Sequence, residues 1–250
     1  MARIFITGSA DGLGHLTARA LVEAGHQVVL HARSAARAHD AMQRVPDAAH
    51  VVVGDLSDVD AVKSVADEAN ALLPFDAVIH NAGVYRASPQ ELWTVNVLAP
   101  YILTCRMRRP ARLIYLSSDM HLGGRTALPT GSGGVTRVSY ADSKLAVTML
   151  CRAVARRWPA VAANAVDPGW VPTKLGGAGA PDDLQQGIET QVWLATSGEA
   201  AAGTSGGYFR HQVQRPVNPQ VNDPGLQERF LSLCGDMTGV TFPPAEVAGA

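Results

Sequence analysis

Arg3-Ile4-Phe5-Ile6-Thr7-Gly8-Ser9-Ala10-Asp11-Gly12-Leu13-Gly14 stands almost at the start of the chain. Its first five residues are short, apolar and β-rich, which reads as a buried strand. After the glycines, Leu13, Leu16, Ala20, Leu21 and Ala24 recur at helical spacing, and Gly25 closes the helix. Strand, glycine turn and helix in that order are what a phosphate-binding loop needs. Glycines let the backbone approach a pyrophosphate, and the helix N-terminus supplies free N–H groups and a partial positive charge. The spacing is Gly-x-x-x-Gly-x-Gly, not Gly-x-Gly-x-x-Gly. The bare pattern also fits a tight structural turn; the flanking elements favour the loop.

The same unit recurs along the chain. Gln27 to Ala32 reads as a second strand and His50 to Gly54 as a third, ending at Asp55-Leu56. Asp58 caps a helix with Val59, Val62, Val65, Ala66, Ala69 and Leu72 on one face. Asp76 to His80 is a fourth strand that delivers Asn81-Ala82-Gly83, and Arg112 to Leu116 a fifth that ends in Ser117-Ser118. A helix runs from Tyr140 to about Trp158, and Val161 to Val166 is a sixth strand. A helix near Asp183 to Thr196, a short strand at Tyr208-Phe209 and a last helix near Leu226 to Cys234 follow. Strands alternating with helices predict an α/β fold: one Rossmann-like domain over residues 1–250, a doubly wound parallel sheet of about seven strands with helices on both faces. Glycine-rich, aperiodic stretches near 119–139 and 174–187 read as substrate loops.

Composition narrows the function. The 250 residues suffice for one α/β domain, and 47% hydrophobic with 17% charged content is an ordinary globular balance. The 21 basic and 22 acidic residues give a net charge of −1, with no footprint for nucleic acid or a membrane surface. Cys105, Cys151 and Cys234 lack metal-ligand or disulfide-framework spacing and read as inert thiols in a reducing compartment. No metal site is expected; His15, His31 and His80 read as ordinary loop, surface or turn histidines. No apolar run approaches the ~20 residues of a membrane span, and the chain enters a strand at once, without a signal peptide. The expected location is the cytoplasm.

Tyr140-Ala141-Asp142-Ser143-Lys144 carries the chemistry in outline. Residues four apart share a helix face, so the Tyr140 phenol and the Lys144 ammonium point the same way. A free phenol ionises near pH ~10, and a nearby ammonium pulls it toward the working range. An isolated pair of this kind also fits an exposed surface contact. Ligands of open α/β sheets bind at the carboxyl ends of strands, where Asp55 and Asn81–Gly83 fall. At the end of the second strand, where a carboxylate would take a ribose 2′-hydroxyl, the chain has Ala32 followed by Arg33. A guanidinium there suits a 2′-phosphate, so NADP(H) is expected over NAD(H). Asp11, an anion inside the glycine loop, argues mildly the other way unless it points to solvent.

With these motifs in order, the chain resembles the short-chain dehydrogenase/reductase family along essentially its whole length. Ser118-Asp119-Met120-His121 and Pro168-Gly169-Trp170-Val171 further resemble the branch near retinol dehydrogenases and WW-domain oxidoreductases. The resemblance implies a catalytic set of Asn96, Ser118, Tyr140 and Lys144. It implies a cofactor site from Thr7, Gly8, Ser9, Asp11, Gly12, Leu13, Gly14, Arg33, Asp55, Leu56, Asn81, Ala82, Gly83, Pro168, Gly169, Val171 and Thr173, with Tyr140 and Lys144. Tyr140 would be the general acid or base, Lys144 would lower its pKa and hold the nicotinamide ribose, Ser118 would bond the substrate oxygen, and Asn96 would hold a relay water. Met120, His121, Leu122, Trp170 and the loop from Lys174 would frame a pocket for a small to medium hydrophobic carbonyl or alcohol. A non-catalytic NADP(H)-binding sensor or interaction protein is the alternative on the same fold. The chain departs from the family between Asn96 and Pro110, where the helix reads as shortened by around two turns. Homo-oligomers through the family's usual helix interface are therefore in doubt.

Overall fold

The computed structural model describes residues 1–72, 74–125 and 135–244. Strands β1 (Arg3–Ile6), β2 (Gln27–Ala32), β3 (His50–Val53), β4 (Ala77–His80), β5 (Arg112–Leu116), β6 (Ala162–Val166), β7 (Tyr208–Arg210) and β8 (Val213–Gln214) form one sheet in the order β3-β2-β1-β4-β5-β6-β7-β8. All neighbours are parallel except β7 with β8, whose two residues pair antiparallel and add an eighth strand to the seven expected. From β1 the chain winds first toward β3, then returns to β4 and winds the other way. The switch falls between β1 and β4, where Ile6 pairs with Ile79, so Thr7 and Asn81 leave the sheet side by side.

Parallel strands covered on both faces are apolar throughout, and alternate residues serve opposite cores. Phe5, Val29, Val52, Val78, Leu113 and Tyr115 face α3 (Val59–Leu72), α5 (Ala99–Arg106), α6 (Tyr140–Arg157) and α8 (Pro224–Thr238). Ile4, Ile6, Val28, Leu30, Ala77, Ile79 and Ile114 face α1 (Gly12–Glu23), α2 (Ala35–Arg44) and α7 (Gln186–Thr196). Each large side chain fully buried this way contributes about 1.5–3 kcal/mol.

The caps are local and legible. Asp11 caps α1, Ser34 caps α2 by accepting from the Arg37 N–H, and Ser139 with Asp142 forms a capping box on α6. Gly25, at φ +80°, ends the first helix. Asp223 caps α8, which is longer than the Leu226–Cys234 stretch its apolar spacing marks. Between α4 (Pro89–Trp93) and α5 lies a π turn, Thr94–Leu98, carrying Asn96; α5 then stops at Arg106, well short of β5.

Two expectations are corrected. His31 and His80 are neither surface nor turn residues; they lie buried within β2 and β4. A polar residue in a strand suggests an exposed face, but here helices cover both faces. His80 stacks on Tyr115 with ring centres 4.8 Å apart. Among the described residues all three cysteines are free, and burial pushes the Cys105 and Cys151 thiols up to about 12. No helix of the described residues is long and apolar enough to cross a membrane.

Candidate active site

The carboxyl ends of β4 and β5 and the first turns of α6 meet in one place. The Lys144 ammonium is buried, donates to the Leu116 carbonyl at 2.7 Å and lies 5.4 Å from the centre of the Tyr140 ring. Burial, offset in part by the Asp167 carboxylate, lowers its pKa to about 8. Burial also pushes the Tyr140 phenol up, and the carboxylates of Asp167 and Asp119 and the Tyr85 phenol add to it. The expected downward pull of Lys144 does not set the direction of the Tyr140 shift: helical spacing reveals the ammonium but not the enclosure or the carboxylates. Tyr85 stands edge-on to Tyr140 with ring centres 4.7 Å apart.

Ser117 and Ser118 divide their work. Ser117 is buried and bonds the Thr148 hydroxyl at 2.7 Å, fastening β5 to α6. Ser118 is half-buried; its Oγ donates to Asp119 Oδ1 and accepts from the Met120 N–H, both at 3.3 Å. Asn96 comes alongside on the π turn, a distortion that recurs at functional sites. Its Oδ1 accepts from the Val84 N–H at 2.8 Å, and its Nδ2 donates to the Val84 carbonyl at 2.9 Å and to Ser143 Oγ at 3.0 Å. Protein groups therefore hold this side chain on every side named. A Cβ on Gly83 would stand 3.3 Å from Asn96 Oδ1 and 3.5 Å from Lys144 Nζ, so a side chain there would crowd both.

The glycine loop is fastened across the switch point. Asn81 Nδ2 donates to the Thr7 carbonyl at 2.8 Å and the Gly8 carbonyl at 3.2 Å, while the Ala82 N–H donates to Thr7 Oγ1 at 3.0 Å. Gly8 has φ +63°, and a Cβ on it would lie 2.9 Å from Ala82 Cα, so only glycine fits. Asp11 does not point freely to solvent. It accepts from the Gly12 N–H, lies 3.1 Å from Arg37 and 3.7 Å from Arg44, and pairs with Lys174. Led by the bond from Lys174, these donors hold its carboxyl down to about 2. That last pair ties the glycine loop to the segment after Pro168–Thr173, where Thr173 packs near Gly12. Arg33 is exposed at the end of β2, and Asp55 accepts from the Ser57 N–H at 2.9 Å, with Leu56 buried behind it. The glycine turn, the α1 N-terminus and the basic end of β2 have the shape and donor chemistry that a dinucleotide phosphate group needs.

The segments that follow Ser118 and Gly169 present an open, apolar surface. Met120, Leu122, Trp170 and Leu175 are large, exposed hydrophobics. Trp170, 60% exposed, is not a core residue; its indole N–H donates to the Gly176 carbonyl at 2.8 Å. Asp182 Oδ2 accepts from the Trp170 N–H at 2.7 Å and lies 3.1 Å from Arg210, which also faces Asp167 at 3.6 Å. His121, expected at the substrate, is fully enclosed. Its Nδ1 donates to the Ser118 carbonyl at 2.7 Å, its Nε2 accepts from the Asn218 N–H at 3.3 Å, and its ring lies against Tyr208. It braces the serine turn instead of meeting a ligand. Much of the first expected substrate loop, 126–134, lies outside the described residues. Among the described residues no cluster of His, Cys, Asp or Glu could hold a metal.

Sequence reasoning missed Arg37, Asp182, Arg210 and Asn218, and misread His31. Arg37 alone had a local signal, since it follows the Ser34 cap by one turn. The others reach the site across long stretches of chain.

The chain is similar to known proteins along nearly its whole length. Residues 2–111 match the family model described as short chain dehydrogenase. An uncharacterized oxidoreductase of Emericella nidulans is 44% identical, over 97% of this chain and 99% of its own. The short-chain dehydrogenase chyC of Penicillium rubens is 41% identical, over 97% of this chain and 100% of its own. Among solved structures, a blue fluorescent protein from a metagenomic library, in complex with NADPH, superposes with a TM-score of 0.70 at 23% identity, covering 84% of this chain and 95% of that one.

Proposed function

The chain belongs to the short-chain dehydrogenase/reductase family of oxidoreductases, and we propose that it moves a hydride between NADP(H) and a carbonyl or alcohol of a hydrophobic small molecule. The observation that carries the reading is the Lys144 ammonium beside the Tyr140 ring, anchored on the Leu116 carbonyl at the end of β5, two residues before Ser118 and one strand away from the glycine loop. Bound cofactor supplies or accepts the hydride; the chain's residues place it and handle the proton. Tyr140 gives its phenolic proton to the forming alkoxide in reduction and takes it back in oxidation. Lys144, anchored on the Leu116 carbonyl, offers its remaining N–H groups to the nicotinamide ribose and its charge to the developing phenolate. Ser118 Oγ turns from Asp119 to donate to the substrate oxygen as charge develops there. Asn96 positions α6 through Ser143, whose hydroxyl donates to the Tyr140 carbonyl at 2.7 Å.

Preference for NADP(H) rests on Arg33 and Arg37 at the carboxyl end of β2, with no carboxylate at Ala32 to meet a ribose hydroxyl. The structural neighbour bound to NADPH supports a nicotinamide cofactor. Met120, Leu122 and Trp170 favour an apolar or aromatic substrate. The test is a fluorescence titration with NADPH and NADH, followed by a carbonyl screen with the tighter one. Tighter NADPH binding that Arg33→Ala weakens, and turnover of apolar ketones or aldehydes, are expected. Equal affinities for the two nucleotides, or activity on highly charged substrates alone, contradict the reading.

A further inference from the structure

His31 occupies a strand-interior position between Leu30 and Ala32, and it is 2% exposed. Both of its ring nitrogens have partners of fixed character. Nδ1 lies 3.0 Å from the Gly8 nitrogen, an N–H that only donates, so Nδ1 carries the lone pair. Nε2 lies 3.0 Å from the Gly54 carbonyl oxygen, which only accepts, so Nε2 carries the proton. The ring is therefore neutral, in one tautomer. The backbone of the same residue grips the next loop residue: its N–H donates to Ser9 Oγ at 2.8 Å, and its carbonyl accepts from the Ser9 N–H at 3.1 Å. Ser9 Oγ in turn donates to the Ile6 carbonyl at 2.9 Å.

These bonds converge on a part of the loop with little slack. Gly8 sits at φ +63° with its backbone against Ala82, and its carbonyl is held by Asn81. The remaining backbone group of Gly8, its N–H, is taken by His31. On the other side the ring reaches the end of β3, one residue before Asp55.

We infer that His31 is a positioning residue for nucleotide binding, holding Gly8 and Ser9 of the glycine loop in place through a ring nitrogen, Nδ1, that must stay unprotonated. The inference rests on the reading of residues 8–14 as the nucleotide loop. Protonation would place a second N–H on Nδ1, facing the N–H of Gly8. Burial opposes this and holds the ring down to about 4; Asp55, itself near Arg33, is the charged group that favours the proton. Phe5, whose ring stands edge-on to His31, adds no charge. The loop thus keeps its shape through the neutral pH range.

The experiment uses the intact protein and two readouts. Ring ¹⁵N spectroscopy on His31, assigned by its loss in His31→Asn, reads the tautomer. Fluorescence titration with NADPH reads the loop. His31→Asn places a carboxamide oxygen where Nδ1 accepts, whereas His31→Leu removes both bonds at similar volume. The expected results are a neutral Nε2–H ring, a Kd for NADPH weakened about tenfold or more in His31→Leu, and a Kd within about threefold of wild type in His31→Asn. An Nδ1–H tautomer, or His31→Leu binding as tightly as wild type, overturns the inference. Should His31→Leu not fold, the tautomer and the Asn variant decide: Nδ1–H, or an Asn variant as weak as about tenfold, overturns it. Wild-type protein that binds neither NADPH nor NADH overturns the nucleotide reading itself, and is distinguishable because it needs no variant.

Discussion

The Lys144 ammonium lies 5.4 Å from the centre of the Tyr140 ring and is anchored at 2.7 Å on the Leu116 carbonyl, so the geometry of this pair is set by β5 as much as by helical spacing. Holding that charge in a buried site has an energetic consequence. The Lys144 pKa falls from its ordinary 10.5 to about 8, so the folded state binds fewer protons than the unfolded one between those values. The destabilisation is complete below pH ~8 and lifts as pH rises toward ~10.5, by about 3 kcal/mol. Lys144→Met is expected to melt at or above the wild-type temperature at pH 7, to lose this rise at alkaline pH, and to lose turnover. Thermal melts at pH 7 and 10 check the first two; a much less stable variant contradicts the assignment.

Asp11 competes for the cations that a 2′-phosphate would use, since Arg37 lies 3.1 Å from its carboxylate. Arg33→Ala with Arg37→Ala is expected to weaken NADPH binding by about tenfold to a hundredfold and to leave NADH within about threefold. Asp11→Asn should move the NADPH affinity in the opposite direction. Paired titrations check both.

Buried neutral histidines predict acid lability. Burial lowers His31 to about 4 and His80 to about 3 from an ordinary 6.5. With folded pKa values below the unfolded ones, the stability they support is whole above pH ~6.5 and is lost as pH falls toward ~4 and ~3. Urea midpoints should drop steeply over that window. His80→Leu should flatten the drop, because it removes a ring that the fold must keep uncharged; an unchanged slope would speak against it.

The His121 bridge between the Ser118 carbonyl and the Asn218 N–H holds the serine turn from behind. His121→Phe is expected to lower kcat by about tenfold to a hundredfold while the NADPH Kd stays within about twofold, because the turn shifts but the glycine loop does not. Steady-state kinetics beside a nucleotide titration separate the two. A variant that changes only the Kd contradicts a role on the serine side.

The glycine loop, the strand ends and the Tyr140–Lys144 pair were legible because their information is local: a run of apolar residues, a spacing of four, a glycine at a forced turn. α2 was not, because Ala35–Arg44 is mostly polar and fully buries only the two small residues Ala38 and Ala41; with it went Arg37. In the sequence His31 reads as an ordinary loop, surface or turn histidine because its partners, Gly8 and Gly54, lie 23 residues away on either side. The direction of the Tyr140 shift was hidden for a related reason. Lys144 is one helical turn away and visible, whereas Asp167 approaches from β6 through the fold.

Tyr140→Phe isolates the proton donor. It removes one hydroxyl and leaves Lys144, Ser118 and the glycine loop in place. NADPH should bind the variant within about twofold of wild type, while oxidation of bound NADPH by a carbonyl substrate falls by at least about a hundredfold. Turnover at the wild-type rate in Tyr140→Phe, with NADPH bound, would contradict Tyr140 as the proton donor and the catalytic reading built on it.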